Sequence, residues 1–218
     1  MREFLIETQF LWMLLIGWLL GILTGPIQER IRRSYREQDL VKAILNEFRG
    51  LQYTMALVAM QIRTRRADSS DGFLDSIIPI VANYDGPDKD ANLLGALTSL
   101  RSRSASERNE ARPPIGSPLV LKRYSVPIFS THVSDLAVCD LDFQTAVLTI
   151  RHHLELLNES LPHIEKMFDM TVRETSAGSR EHVLQILQNL EVDYGSRTEI
   201  IMNLITDLQN RFSRQRSR

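Results

Sequence analysis

Residues 143–168 read FQTAVLTIRHHLELLNESLPHIEKMF, and this stretch decides the fold. Phe143, Val147, Ile150, Leu154, Leu157, Leu161, Ile164 and Phe168 recur at alternating steps of four and three without a miss. That spacing places every apolar side chain on one face of an α-helix, whereas a half-buried strand would alternate every second residue. Pro162 falls inside the run. Because the apolar seam passes through it, the pattern predicts a kinked helix rather than a helix end.

Two other runs repeat the pattern. Toward the N-terminus, Val41, Ile44, Phe48, Leu51, Met55, Val58 and Ile62 step by three and four. Leu40, Leu45, Leu57 and Ala59 widen this stripe beyond a coiled-coil seam, which suits a bundle. Only Gly50 interrupts residues 28–66, so one helix of about 55–60 Å is expected there. Toward the C-terminus, Val183, Leu187, Leu190, Tyr194, Ile201, Leu204 and Leu208 form the third seam. Arg197 falls on it and Gly195 weakens it by about 1 kcal/mol relative to Ala, so a local irregularity is expected. Residues 169–178 form a ten-residue link, with Ser179 as N-cap and Glu181 in the first turn, so residues 143–213 read as a helical hairpin.

The middle of the chain is less regular. ADSSDG at 67–72 is a turn with Asp and Ser available as caps, and residues 73–84 read as a short apolar helix containing Pro79. Asp85-Gly86-Pro87-Asp88 is a turn, with Asp88 placed to cap a helix through Leu100. RSRSASERNEARPPIGSP at 101–118 nearly lacks apolar residues and predicts a mobile loop. An irregular connection with a short helix, starting at Ser130 or Thr131 and reaching Cys139, fills 119–142. Residues 214–218 are a basic tail. The fold class is all-α: three long amphipathic helices with short helices between the first two, forming an elongated bundle. Ten glycines and eight prolines in 218 residues are too few for a β-sandwich with its frequent turns.

Residues 10–27, FLWMLLIGWLLGILTGPI, carry no charge. As a helix they cover about 27 Å, near the thickness of a bilayer core, and they are apolar on every face, unlike a helix at a protein surface. Met1-Arg2-Glu3 is a poor signal-peptide start, and no small-residue cleavage pattern closes the run, so a retained transmembrane helix is expected. Arg30, Arg32, Arg33 and Arg36 follow at once. Arginine accumulates on the cytoplasmic side, which predicts a single-pass inner-membrane protein with residues 1–9 outside and the bundle in the cytoplasm. The same cluster is suited to anionic membrane lipid. Gly17, Gly21 and Gly25 sit four apart on one helix face, a tandem GxxxG that lets two membrane helices approach closely and form a homodimer.

Motifs for chemistry are missing from the linear sequence. One cysteine, Cys139, excludes an intrachain disulfide and any CxxC motif. The five histidines form no HExxH, and no Glu-x-x-His pair of the di-iron type occurs. Glu155, Glu159 and His163 share a helix face at steps of four, the nearest approach to a metal set; His152 and His153 diverge by about 100°. The calcium-loop template around Gly72 fails at Ala67 and Ile78. GxSxG, GxGxxG and GxxxxGK[ST] are all absent. Twenty-six basic against twenty-seven acidic residues give no basic excess for nucleic acid. No catalytic, cofactor-binding or metal residue is therefore assigned.

GWLLGILTGPIQERIRRSYREQDLVKAILNEFRGLQYTM at 17–55 and VPIFSTHVSDLAVCDLDFQTAVLTIRHHLELLNESL at 126–161 together carry a resemblance. The chain resembles a loose group of uncharacterised bacterial proteins with one N-terminal span, an arginine-rich exit, a long helix and a C-terminal helix pair. In the second stretch Leu156-Leu157-Asn158 takes the closing position of their long helix. The resemblance implies membrane localisation and a helical domain, and brings no activity. The expected function is that of a membrane-tethered, self-associating scaffold holding a cytoplasmic protein partner. The alternative is a signalling or stress-response component without an external sensor domain.

Overall fold

The computed structural model describes residues 2–66, 68, 70–104, 107, 121–173 and 176–215; of these, the side chains of 2–17, 19–27, 177 and 213–215 are not described. It is all-α, with no strand among the described residues. The order is α1 (Arg2–Arg65), α2 (Asp71–Ala82), α3 (Leu93–Ser102), α4 (Pro127–Thr131), a 3-10 helix (Val133–Val138), α5 (Leu141–Arg173) and α6 (Ala177–Gln215).

The three long seams meet in one core. Ile44, Phe48, Leu51, Met55, Val58 and Ile62 of α1 share one buried cluster with Phe143 to Ile164 of the α5 seam and Tyr194, Ile201 and Leu208 of α6, and α6 stands between the other two as their main neighbour. α5 and α6 pair as the expected antiparallel hairpin, with Phe143 meeting Phe212 edge-on at 5.0 Å. α1 runs antiparallel to α6: Gln52 reaches Thr206 and Met202, Arg63 reaches Glu199, and Arg65 reaches Glu191. Gln52 is buried, and its carboxamide is satisfied by donating to the Thr206 hydroxyl at 2.7 Å and the Met202 carbonyl at 3.3 Å. Arg63 grips Glu199 with two parallel bonds, Nε to Oε1 at 2.7 Å and Nη2 to Oε2 at 2.9 Å.

The element ends follow local chemistry. Ser70 caps α2 by accepting the Phe73 N–H. The predicted cap at Asp88 does not form: Asp90 instead accepts the Asn92 N–H at 2.8 Å in a tight turn, and α3 starts at Leu93. Arg101 was expected in a loop but ends α3, where its guanidinium bridges Asp71 and Asp75 of α2 at 3.1 and 2.8 Å. The short helix near residue 130 starts earlier than predicted because Pro127 sets its first turn and Glu47 of α1 accepts the N–H groups of Ile128 and Phe129, both at 2.8 Å. Asp140 accepts the Phe143 N–H, so α5 starts at Leu141. α6 starts at Ala177, before Ser179, with the Arg180 N–H on the Ser176 carbonyl.

Two seam expectations are corrected. α6 is continuous through Gly195 and Arg197. Arg197 pairs with Asp193 at 2.9 Å, and Gly195 faces Ile62 of α1. A Cβ at that position would sit 2.9 Å from Ile62 Cγ2, so the missing side chain admits the Ile62 methyl. Phe168, the last position of the deciding stretch, is 49% exposed. The seam continues there, but α1, the third wall of the core, has ended at Arg65.

Between α3 and α4, residues 121–126 form an irregular strap across α5 and α6. Its own Tyr124 and Val126 side chains are buried. Tyr194 donates its hydroxyl to the Lys122 carbonyl, Asn158 binds the backbone of Tyr124, and Glu47 anchors the far end through α4. Residues 105, 106 and 108–118 of the predicted loop, and the basic tail from 216 on, lie outside the described residues.

Candidate functional site

α1 is 64 residues long, about 96 Å, and only its second half joins the bundle. Every residue from 28 to 36 is exposed, whereas Leu40 and Val41 already pack against the core and, among the described residues of the helix, the first buried side chain is Ile44. About 14 Å of helix, residues 28–36, therefore lies bare between the predicted membrane exit and the bundle.

Arg30, Arg32, Arg33 and Arg36 all lie on this bare segment and are exposed. At about 100° per residue, Arg32, Arg33 and Arg36 fall within about 100° of the helix circumference, with Arg30 about 60° beyond that arc. Glu29 is the one acid among residues 28–36. None of the four arginines is in an ion pair among the described residues. Those that are, such as Arg63, Arg65 and Arg101, lie within the bundle. Ile31 and Tyr35, one turn apart, are exposed on a different face. The segment thus presents a cationic arc beside a smaller apolar one.

Among the described residues no helix is long and apolar enough to cross a membrane. The span predicted over 10–27 lies, apart from Trp18, outside the residues whose side chains are described, as do Gly17, Gly21 and Gly25. Trp18 is 67% exposed.

Among the described residues no three His, Cys, Asp or Glu side chains are grouped to hold a metal ion. Of the set Glu155, Glu159 and His163, Glu155 is engaged by Arg151 at 2.7 Å. The rings of His152 and His153 have centroids 5.9 Å apart and are tilted by 59°. Cys139 is buried; that burial, with Glu37 and Asp140 nearby, pushes its thiol up to about 11. The thiol stays protonated at neutral pH and is a poor nucleophile.

Asn158 and Glu47 are the polar residues that sequence reading did not single out for a role. Each is a helix residue that binds backbone more than thirty positions away. Helical spacing carries no trace of such a contact. No protein-family model matches the chain, and neither does any curated protein or solved structure.

Proposed function

We propose that the protein is a membrane-tethered scaffold of the inner membrane, with its helical bundle in the cytoplasm and its N-terminus outside. Residues 10–27 are the anchor. Arg30, Arg32, Arg33 and Arg36 hold anionic lipid headgroups, each contributing about 1 kcal/mol near a charged surface. Residues 28–36 act as a short rigid stalk between the bilayer and the bundle. Gly17, Gly21 and Gly25 bring two anchors together as a homodimer, and the bundle receives a cytoplasmic protein.

The observation that carries this reading is the junction itself. An uncharged run of 18 residues passes directly into four exposed arginines on a helical segment without bundle neighbours. A basic arc on a bare helix next to an apolar run suits a headgroup layer better than bulk water. The exposure of Trp18 supports a lipid-facing surface in the run.

The test is topology. A reporter fused after Arg218 in the full chain is expected to be active only in its cytoplasmic form. Changing the four arginines to Gln is expected to raise the inverted fraction at least several-fold. An active periplasmic reporter on the unaltered chain overturns the orientation. Complete extraction of the protein by alkaline carbonate overturns the anchor.

A further inference from the structure

From the end of the bundle farthest from the stalk, α5 and α6 continue alone. α1 stops at Arg65, whose guanidinium meets Glu191 at 3.6 Å, while α2 and α3 fold back along α1. Residues 162–173 of α5, about 18 Å of helix, and the facing start of α6 form a two-helix arm. The arm is closed between its own helices, with Ile164, Thr171, Val183 and Leu187 buried. On the side where α1 would continue it is open.

The open side repeats the α1-binding surface. Glu191, Gly195 and Met202 of α6 receive Arg65, Ile62 and Gln52 of α1. Seven positions before Glu191, on the same stripe, is Leu184, 38% exposed. On α5 the core seam continues as Phe168 and then Val172, four positions on, at 49% and 74% exposed. These three apolar side chains line a groove continuous with the α1–α6 interface, yet no helix lies in it.

We infer that this groove is a self-association surface that takes the same arm of a second copy. The inference rests on the tethering reading and deepens it by naming the surface. One level below, the groove is filled by a helix with an apolar stripe, and the arm carries such a stripe itself. Its charges nearly cancel: Glu165, Asp169, Glu174 and Glu181 against Lys166, Arg173 and Arg180. Two copies therefore meet with little net repulsion, whereas a strongly acidic or basic partner gains little here. Anchored in one membrane, two copies hold their arms at equal height. A two-fold axis along the membrane normal then brings Phe168 to Phe168 and Val172 to Val172.

The experiment is disulfide crosslinking of the full-length protein in native membranes. Cys139 is buried and serves as a silent background. Val172→Cys is expected to give a covalent homodimer on oxidation. Gln185→Cys, exposed on the outer face of α6, is expected to give at least tenfold less. Phe168→Glu added to Val172→Cys is expected to cut the dimer about tenfold. Equal crosslinking at both positions reflects crowding alone and overturns the surface; so does a Val172→Cys crosslink to a different protein. Membrane-bound protein that crosslinks at neither position overturns the arm pairing but leaves the tether standing. Recovery outside the membrane fraction overturns the tether and, with it, the shared height that sets the register.

Discussion

The side-chain amide of Asn158 holds both backbone groups of Tyr124, accepting its N–H at 2.9 Å and donating to its carbonyl at 2.8 Å. A strand ladder would satisfy the strap in a β-protein. Here a helix side chain takes that place, so an irregular segment crosses a helical surface without leaving these buried backbone groups unpaired. With Glu47 accepting two N–H groups at the far end, the strap ties α5 to α1 where those helices touch little directly.

Asn158→Ala is expected to destabilise the full chain by about 1–3 kcal/mol, the cost of stranding half-buried backbone groups. Asn158→Asp keeps an acceptor for the Tyr124 N–H and loses the donor to its carbonyl, so it is expected to fall between. Amide hydrogen exchange locates the effect: Tyr124 should exchange faster in the Ala variant, while protection in the middle of α6 holds. Unchanged protection at Tyr124 sinks the clamp.

Gly195→Ala gains about 1 kcal/mol in helix propensity but brings a Cβ to 2.9 Å from Ile62 Cγ2, which the α1–α6 contact must open to admit. Overpacking of this kind costs about 1–3 kcal/mol. The net expectation is a loss of up to about 2 kcal/mol. In an Ile62→Ala background, where the clashing methyl is gone, the same change should be stabilising. A double-mutant cycle from denaturant midpoints reads this sign reversal, and additivity of the two changes would rule out the close approach.

The long helices and their buried faces were legible because a heptad pattern reports its own geometry: Ile44, Phe48, Phe143 and Leu157 are buried where their spacing places them. What escaped was set by neighbours distant in sequence. Gly195 reads as a weak point in a helix, and only the approach of Ile62 gives it a use. Phe168 reads as core, and only the stopping of α1 at Arg65 exposes it. Asp88 and Ser179 are good caps by type, but Asp90 and Ser176 lie where the chain turns. The arginines after the apolar run make no ion pair among the described residues, so their reading rests on composition and position alone.

Cys139 is expected to react slowly with thiol reagents in the folded protein. With its thiol at about 11 against an ordinary 8.5 or so, the thiolate fraction at neutral pH falls by about two orders of magnitude or more. Burial slows the reagent further. Labelling in non-denaturing detergent should therefore lag labelling in denaturant by about a hundredfold or more. Comparable rates would show that the 3-10 helix and the start of α5 open readily.

Tyr124 and Tyr194 give the bundle an alkaline limit. Tyr194 donates its hydroxyl to the Lys122 carbonyl, and Tyr124 is its neighbour. Burial pushes Tyr124 up to about 12. Burial, then the neighbouring Tyr124, raises Tyr194 as well. An unfolded chain ionises its tyrosines near 10, so above that pH the unfolded state releases protons that the folded state retains. The stability of the pair is thus complete below about pH 10 and is lost as the pH climbs toward about 12. Tyr124→Phe removes one of the two groups, so between about pH 10 and 11 its denaturant midpoint should fall less steeply than that of the unaltered chain. Tyrosinate absorbance gives an independent reading: over the same interval the folded variant should show the same increase as the unaltered protein, because Tyr124 stays neutral there. An increase reduced by one tyrosine's share would place Tyr124 among the solvent-exposed phenols and refute its burial.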